Sequence, residues 1–278
     1  MSGYEPFTQQ HQEFVSIAEW EGLFPNIIAG FSTRDGGYST APFSSLNLGL
    51  HVNDDQPTVV ANRRILAKKL DFPIENWVGS EQVHESMVVK VSEEDRGRGV
   101  FDLTSAIKRA DGIYTNRPNV LLTSLYADCV PLYFFSPSHF YIGLAHAGWR
   151  GTVANIGGEM IRLWIEREQI SLDTIKVAIG PCISKKAYEV DEGVIAEIDR
   201  IWPSRLGYVP YIKHKNQKYL LDLRTVNKQL LLEAGVKEKN IIVSSICTAN
   251  DSRMFSHRAE SGKTGRMMSF IGLRHKGG

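Results

Sequence analysis

The chain has 278 residues, 42% of them hydrophobic, which is enough to bury a sizeable core without disulfide staples and fits one continuous domain over 1–278. Lys and Arg total 32 against 31 Asp and Glu, so the formal charge of +1 excludes a global electrostatic footprint for nucleic acid or an anionic membrane, and any anion must be met locally. The opening MSGYEPFTQQHQEF lacks the pattern of a secretory signal and no apolar stretch approaches bilayer-spanning length; with three widely separated cysteines, Cys129, Cys182 and Cys247, the expectation is a soluble cytoplasmic protein.

No internal repeat, low-complexity run or linker-like stretch interrupts the chain. From the N-terminus, the first apolar, β-branched run, 27–32, reads as a strand. A helix follows, with Pro57 in its first turn, Ile65, Leu66 and Leu70 on one face, and Pro73 to stop it. Residues 87–92, 120–125, 130–135 and 140–145 are further strand candidates. After Trp149-Arg150-Gly151, Thr152 is a candidate N-cap for a helix in which Val153, Ile156, Met160, Leu163 and Trp164 recur at helical spacing. A strand at 175–179, a helix at 190–202, a strand at 219–223, a helix at 225–234 closed by Gly235, and a strand at 241–246 complete the pattern. Strand pairs outnumber crossovers, so the expected class is α+β with mixed sheets rather than a doubly wound parallel sheet.

Four segments carry polar or reactive residues within apolar surroundings: 31–55, 80–85, 128–150 and 247–266. Gln82-Val83-His84, Ala127-Asp128-Cys129-Val130-Pro131 and Ala145-His146-Ala147-Gly148 each place one soft or borderline metal ligand at a strand edge. Two imidazoles and a thiolate suit Zn2+, and three protein donors leave a fourth position open, as catalytic sites require. Asp128 would stand behind them, hydrogen-bonding a ligand imidazole or positioning water. The gaps match no compact zinc motif, and on spacing alone the commoner outcomes are Cys129 as a small buried residue, His146 as a satisfied core histidine and His84 as a structural or exposed one.

Anion candidates are scattered. Arg150 in the Gly148–Gly151 turn could meet a phosphate or lie on the surface, and Arg34, before Gly36-Gly37, has the same ambiguity. Asn47 sits among leucines and must find partners if buried. Cys182 follows an apolar strand on a turn that could expose its sulfur, although a structural free cysteine is the commoner outcome. Arg258, Lys263 and Arg266 cluster among small residues of the kind that could hold phosphate or ribose, without the spacing of a Walker motif.

In order along the chain, QVH, ADCVPL, AHAGWRG, GPCI, YEV and SHR with TGRM resemble the laccase-domain purine nucleoside phosphorylases of YfiH/YlmD/FAMIN type, from about Phe31 to Ile271. The resemblance implies a layered α/β/β/α sandwich of the CNF/YfiH kind, with zinc held by His84, Cys129 and His146. It also implies phosphorolysis of adenosine, inosine and S-methyl-5'-thioadenosine, with adenosine deamination as a second reaction. Purine nucleosides and inorganic phosphate are then the expected partners of a monomer or weak homo-oligomer, with no nucleic acid and no membrane. Catalysis would rest on Cys129, His84, His146 and Asp128, and substrate binding on Asn47, Arg34, Arg150, Arg258 and Cys182. The zinc-deaminase H-x-E signature is absent, which leaves the deaminase proton carrier open. Competing expectations are a cysteine hydrolase or amidase with Cys129 as nucleophile and His146 as base, a copper polyphenol oxidase, disfavoured because 8 histidines are few for multicopper machinery, and a binding module without turnover.

Overall fold

Side-chain alternation along the strands decides the layering. In the computed structural model, which describes residues 4–275, the chain runs β1 (Phe7–His11), β2 (Phe14–Ile17), α1 (Ala18–Leu23), β3 (Ile27–Ser32), α2 (Gln56–Leu70), β4 (Trp77–Gly79), β5 (Val88–Lys90), β6 (Gly112–Thr115) and β7 (Leu121–Tyr126). It continues through β8 (Val130–Ser136), β9 (Tyr141–Ala147), α3 (Trp149–Val153), α4 (Ile156–Glu166), β10 (Lys176–Ile179), β11 (Glu189–Val190), α5 (Glu192–Ile201), β12 (Tyr211–Lys213), β13 (Tyr219–Leu221), α6 (Leu223–Glu233), β14 (Ile241–Val243) and β15 (Met267–Leu273).

One six-stranded sheet has the order β1-β2-β3-β15-β7-β4 and a second the order β14-β10-β8-β9-β6-β5; β11-β13-β12 form a small third sheet. Both large sheets are mixed, with parallel pairs at β4/β7, β10/β14 and β5/β6. On β8, Tyr133 and Phe135 point into a core shared with the first sheet, while Leu132 and Phe134 point out towards the helices. On β15, Met267 and Ile271 join that shared core, and Met268 and Phe270 pack with Leu66 and Leu70 of α2. The result is the layered α/β/β/α arrangement, with α2 on one outer face and α4 and α6 on the other.

The strand at 27–32 has the expected bounds, and those near 121, 130, 141 and 176 differ by a few residues at their ends. The central strand β15 escaped the sequence reading because its run is interrupted by Ser269 and Gly272; it lies between β3 and β7, where both faces are covered. The helix after His146 is corrected. It breaks at Asn155, whose left-handed φ of 54° starts α4 and whose side chain accepts the Gly158 N–H. Thr152 is therefore not the cap: it lies buried inside α3, and its hydroxyl accepts from Asn227 Nδ2. Helix α2 ends before Pro73, at Leu70, with Asp71 in the left-handed region. Gly235 takes a φ of 92° just past α6, as its place in the sequence required.

Arg63 of α2 ties this layer to the loops that lead to the site. Its buried guanidinium donates to Leu48 O, Gly99 O and Val100 O, and burial lowers its pKa to about 10. Among the described residues it has no carboxylate partner, so three buried carbonyls depend on one cation. Arg63→Met should lower the unfolding free energy by about 3 kcal/mol, because those carbonyls lose their donors. Urea unfolding measures it, and a loss below about 1 kcal/mol would mean that the loops rearrange to satisfy themselves.

Candidate metal centre

Strand register brings the thiol and one imidazole together. In the β8/β9 pair Val130 faces Ala147 and Pro131 faces His146, so Cys129, just ahead of β8, lies beside Gly148. A Cβ at position 148 would stand 3.1 Å from His84 Cδ2 and 3.2 Å from Cys129 Sγ, which accounts for glycine there: a side chain would press into both. His84 arrives from the loop between β4 and β5 with a φ of 63°. Ligand atoms of His84, Cys129 and His146 all lie within 4.8 Å of one another, and the two imidazole rings meet edge to face at 4.8 Å between centroids. His146 is buried, Cys129 partly so, and His84 open to solvent.

A residue outside the expected set organises the cluster. Asp111 Oδ1 accepts from the His84 backbone N–H at 3.0 Å and from His146 Nδ1 at 2.9 Å, and Oδ2 accepts the Val83 and Glu85 N–H groups at 3.0 and 2.9 Å. One carboxylate therefore holds the loop in its left-handed turn and fixes the His146 tautomer, leaving Nε2 as the ring nitrogen free to bind an ion. The expectation that Asp128 would contact a ligand imidazole is corrected. Its carboxylate accepts instead from Thr248 Oγ1 at 2.7 Å, Ser256 Oγ at 3.0 Å and the Arg258 N–H at 2.7 Å. Asp128, at a φ of 88°, forms the turn before Cys129 and anchors the C-terminal segment against it.

Burial pushes the Cys129 thiol up, but the charge of His146 and hydrogen bonds from both imidazoles bring it down to about 6. Burial likewise lowers His146, while the thiolate and Asp111 raise it to about 9. Without an ion these opposite shifts favour a thiolate beside an imidazolium. His51 is pressed down to about 4 by burial and then by the charge of Arg266.

The cluster opens into a cavity of about 640 Å³. Of the arginines singled out in the sequence, Arg258 lines it, with Nη1 donating to Glu189 O and the guanidinium 5.4 Å from the Tyr188 ring centre. Arg266 lines it too, whereas Arg34 and Arg150 stand apart from its wall. Arg34 pairs with Glu260 at 3.0 Å and lies over Phe255, and Arg150 is exposed with its guanidinium over Trp149. Asn47 is buried but satisfied by the protein: its amide donates to Gly49 O and Asp54, and its oxygen accepts the Gly49 and Arg266 N–H groups. Cys182 is buried rather than exposed, its sulfur accepting from Arg224 Nε at 3.0 Å. His51, Trp149 and Tyr188, which the sequence reading did not assign to the site, line the cavity, as does Arg266 of the basic cluster that it had offered for phosphate or ribose. Trp149 and Tyr188 lay in quoted motifs and His51 in the 31–55 segment, whereas Asp111 had only a weak signal, a lone carboxylate at the start of an apolar strand.

Fold and site define a layered α/β/β/α protein with a two-histidine, one-cysteine cluster that could hold a metal ion, lining a pocket. The family described as multi-copper polyphenol oxidoreductase laccase matches residues 28–274. Purine nucleoside phosphorylase YlmD of Geobacillus stearothermophilus is 46% identical over 254 residues, 91% of this chain and 92% of its own length. Its namesake in Bacillus subtilis is 42% identical over 278 residues, 99% of each chain. The crystal structure of YlmD from Geobacillus stearothermophilus superposes with a TM-score of 0.94 at 44% identity, covering 98% of this chain and 100% of that one. The chain belongs to the YfiH/YlmD laccase-domain purine nucleoside phosphorylase family.

Asp111→Asn places an amide N–H against two backbone or ring donors in either orientation. Zinc affinity, measured by competition with a chromophoric chelator, should fall about 10- to 100-fold while circular dichroism stays that of the parent protein. In protein stripped of metal, alkylation of Cys129 by iodoacetamide, followed by mass spectrometry, should rise with pH through a midpoint near 6. The direction follows from the lowered pKa, since the thiolate is the nucleophile, and added Zn2+ should suppress the reaction. A midpoint above about 8 would mean that the imidazoles do not activate the thiol.

Proposed function

We propose that this chain is a zinc-dependent purine nucleoside phosphorylase. Its reaction would cleave adenosine, inosine and S-methyl-5'-thioadenosine with phosphate to the free base and ribose 1-phosphate or its methylthio analogue, with adenosine deamination as a lesser reaction. The observation that carries the reading is the convergence of His84, Cys129 and His146 at the floor of a nucleoside-sized cavity, in a chain whose relatives are named purine nucleoside phosphorylases. Two imidazoles and a thiolate, with a carboxylate behind one ring, are a donor set suited to zinc. When bound, zinc supplies Lewis acidity and a polarised water.

Phosphorolysis forms a bond from a phosphate oxygen to C1' of the ribose and breaks the bond from C1' to the purine nitrogen, whose electron pair leaves with the base. The chain's task is to align the reactants and to neutralise charge at both ends. Tyr188 and Trp149 offer aromatic faces to the purine, and Leu103, Leu125 and Ile183 give apolar walls. For deamination, His51, His257 and Glu81 face the cavity as proton carriers, because the Asp128 carboxylate is committed to Thr248, Ser256 and Arg258. In this reading the protein acts in the cytoplasm, as a monomer or weak homo-oligomer, with three free thiols; among the described residues no helix is long and apolar enough to cross a membrane.

One observation favours a second reading. The Cys129 thiol near 6 beside His146 resembles the activated pair of a cysteine hydrolase or amidase. A copper oxidase is the third, suggested by the description of the matching family; the donors here gather around one ion, whereas multicopper oxidases distribute copper over several imidazole-rich sites.

Inosine with phosphate should yield hypoxanthine and ribose 1-phosphate, resolved by liquid chromatography. Cys129→Ala and His146→Ala should lose both bound zinc and at least about 100-fold of the rate. Product formation without phosphate would replace phosphorolysis by hydrolysis, and activity that survives chelation but not alkylation would favour the covalent reading. Copper in the purified protein with dioxygen uptake on phenols would favour the oxidase.

A further inference from the structure

We propose that Arg266 and Arg258 are the two arms of a cradle for inorganic phosphate on the wall of the cavity beside the His84, Cys129 and His146 cluster. This rests on the phosphorolysis reading for its ligand, and on four observations for its place.

First, both guanidinium-bearing residues line the cavity that holds the cluster. Second, among the described residues neither makes an ion pair. Arg266 Nη1 donates to Thr264 O and Gly265 O, both at 3.0 Å, and Arg258 Nη1 donates to Glu189 O at 2.8 Å. By contrast Arg34 is paired with Glu260 and Arg109 with Glu85. A partly desolvated guanidinium held by carbonyls keeps its net charge and has donors to spare, so it favours an oxyanion.

Third, Arg266 is held before any ligand arrives. Its backbone N–H is fixed at 2.9 Å by Asn47 Oδ1, and its stem runs over Gly49, where a Cβ would come within 2.7 Å of Arg266 Cγ. Asn47 is thereby a positioning residue: it sets the strand entrance that carries the arginine. Fourth, carboxylates facing the space are engaged by neighbours. Asp128 accepts from Thr248, Ser256 and the Arg258 backbone N–H, and Glu81 accepts the Arg109 N–H. The Asp128 bond to Arg258 fixes that residue's backbone while leaving its side chain to the cavity. Two unpaired forks beside a metal cluster match a tetrahedral dianion better than they match an uncharged nucleoside.

The test uses metal-loaded full-length protein. In Arg266→Gln and Arg258→Gln, the KM for phosphate should rise about tenfold or more while the KM for inosine stays within about twofold, and zinc content and melting temperature stay those of the parent. Isothermal titration calorimetry with inorganic phosphate alone should show the same loss. Arg266→Lys, which keeps charge and loses the fork, should fall between. If Arg266→Gln melts early, Arg258→Gln decides, since that side chain is exposed. Normal turnover with unchanged phosphate affinity in both variants would overturn the cradle and leave the phosphorylase reading standing. No nucleoside turnover in the parent, with phosphate binding that still depends on Arg266 and Arg258, would do the reverse. A rise in phosphate KM in Arg150→Gln but in neither variant would place the anion at Arg150 instead and sink the proposal.

Discussion

The carboxylate of Asp111 is the constraint on which the site depends. It is buried, and both of its oxygens are used: one by the His84 N–H and His146 Nδ1, the other by the N–H groups of Val83 and Glu85. Burial alone would raise its pKa, but the bond from His146 and the backbone donors lower it, so the group stays ionised. A single negative charge therefore sets a loop conformation on one side and a ring orientation on the other. The loop residue it fixes, His84, occupies a left-handed conformation that a histidine adopts only when the surroundings enforce it.

Asp128 does the corresponding work for the thiol. It turns the chain ahead of β8 and receives donors from positions 248, 256 and 258, so the segment after β14 is closed over the strand edge that carries Cys129. The two aspartates divide the support of three donors between them, one holding both histidines and one holding the approach to the cysteine. Neither aspartate offers its carboxylate to the ligand space as a base, because each is saturated by protein donors. This leaves the cavity's chemistry to the donor cluster, to imidazoles, to guanidiniums and to the Glu81 carboxylate at its edge.

The same cluster has two chemical faces. Without an ion, the Cys129 thiolate and His146 imidazolium stabilise each other, and this pairing moves one pKa to about 6 and the other to about 9. A bound ion would supply a stronger positive charge in place of the imidazolium proton, and His84, Cys129 and His146, with the Asp111 carboxylate behind His146, are the groups that would hold it. Gly148 lets these three groups approach without a Cβ between them, which explains why a glycine follows His146-Ala147 in the motif.

Much of this was legible in the residues. Short apolar strands, capped helices and the surplus of strand pairs led to the mixed α+β class, while the layered arrangement and the choice of the three donors came from the family resemblance of the motifs. The failures have physical causes. Strand β15 was missed because small residues interrupt its apolar run, and Thr152 was taken for a cap because a helix break at Asn155 depends on a left-handed turn that periodicity does not register. Asn47, Arg34 and Arg150 bear suitable groups, but whether such groups face a ligand or are taken up by Asp54, Glu260 or Trp149 depends on how the chain folds around them: Glu260 is remote from Arg34 in sequence, and even the nearby Asp54 and Trp149 are reached only in a particular loop conformation. Asp111 carries the converse lesson, since nothing near it in the chain distinguishes it. By itself the sequence determined the α+β class, which follows from local pattern, and offered two histidines and a cysteine as candidate donors, which the family resemblance of their motifs selected. Only the tertiary structure decided which carboxylate supports the histidines and which arginines remain unpaired, because hydrogen-bond and charge partners are set by distance across layers and not by separation along the chain.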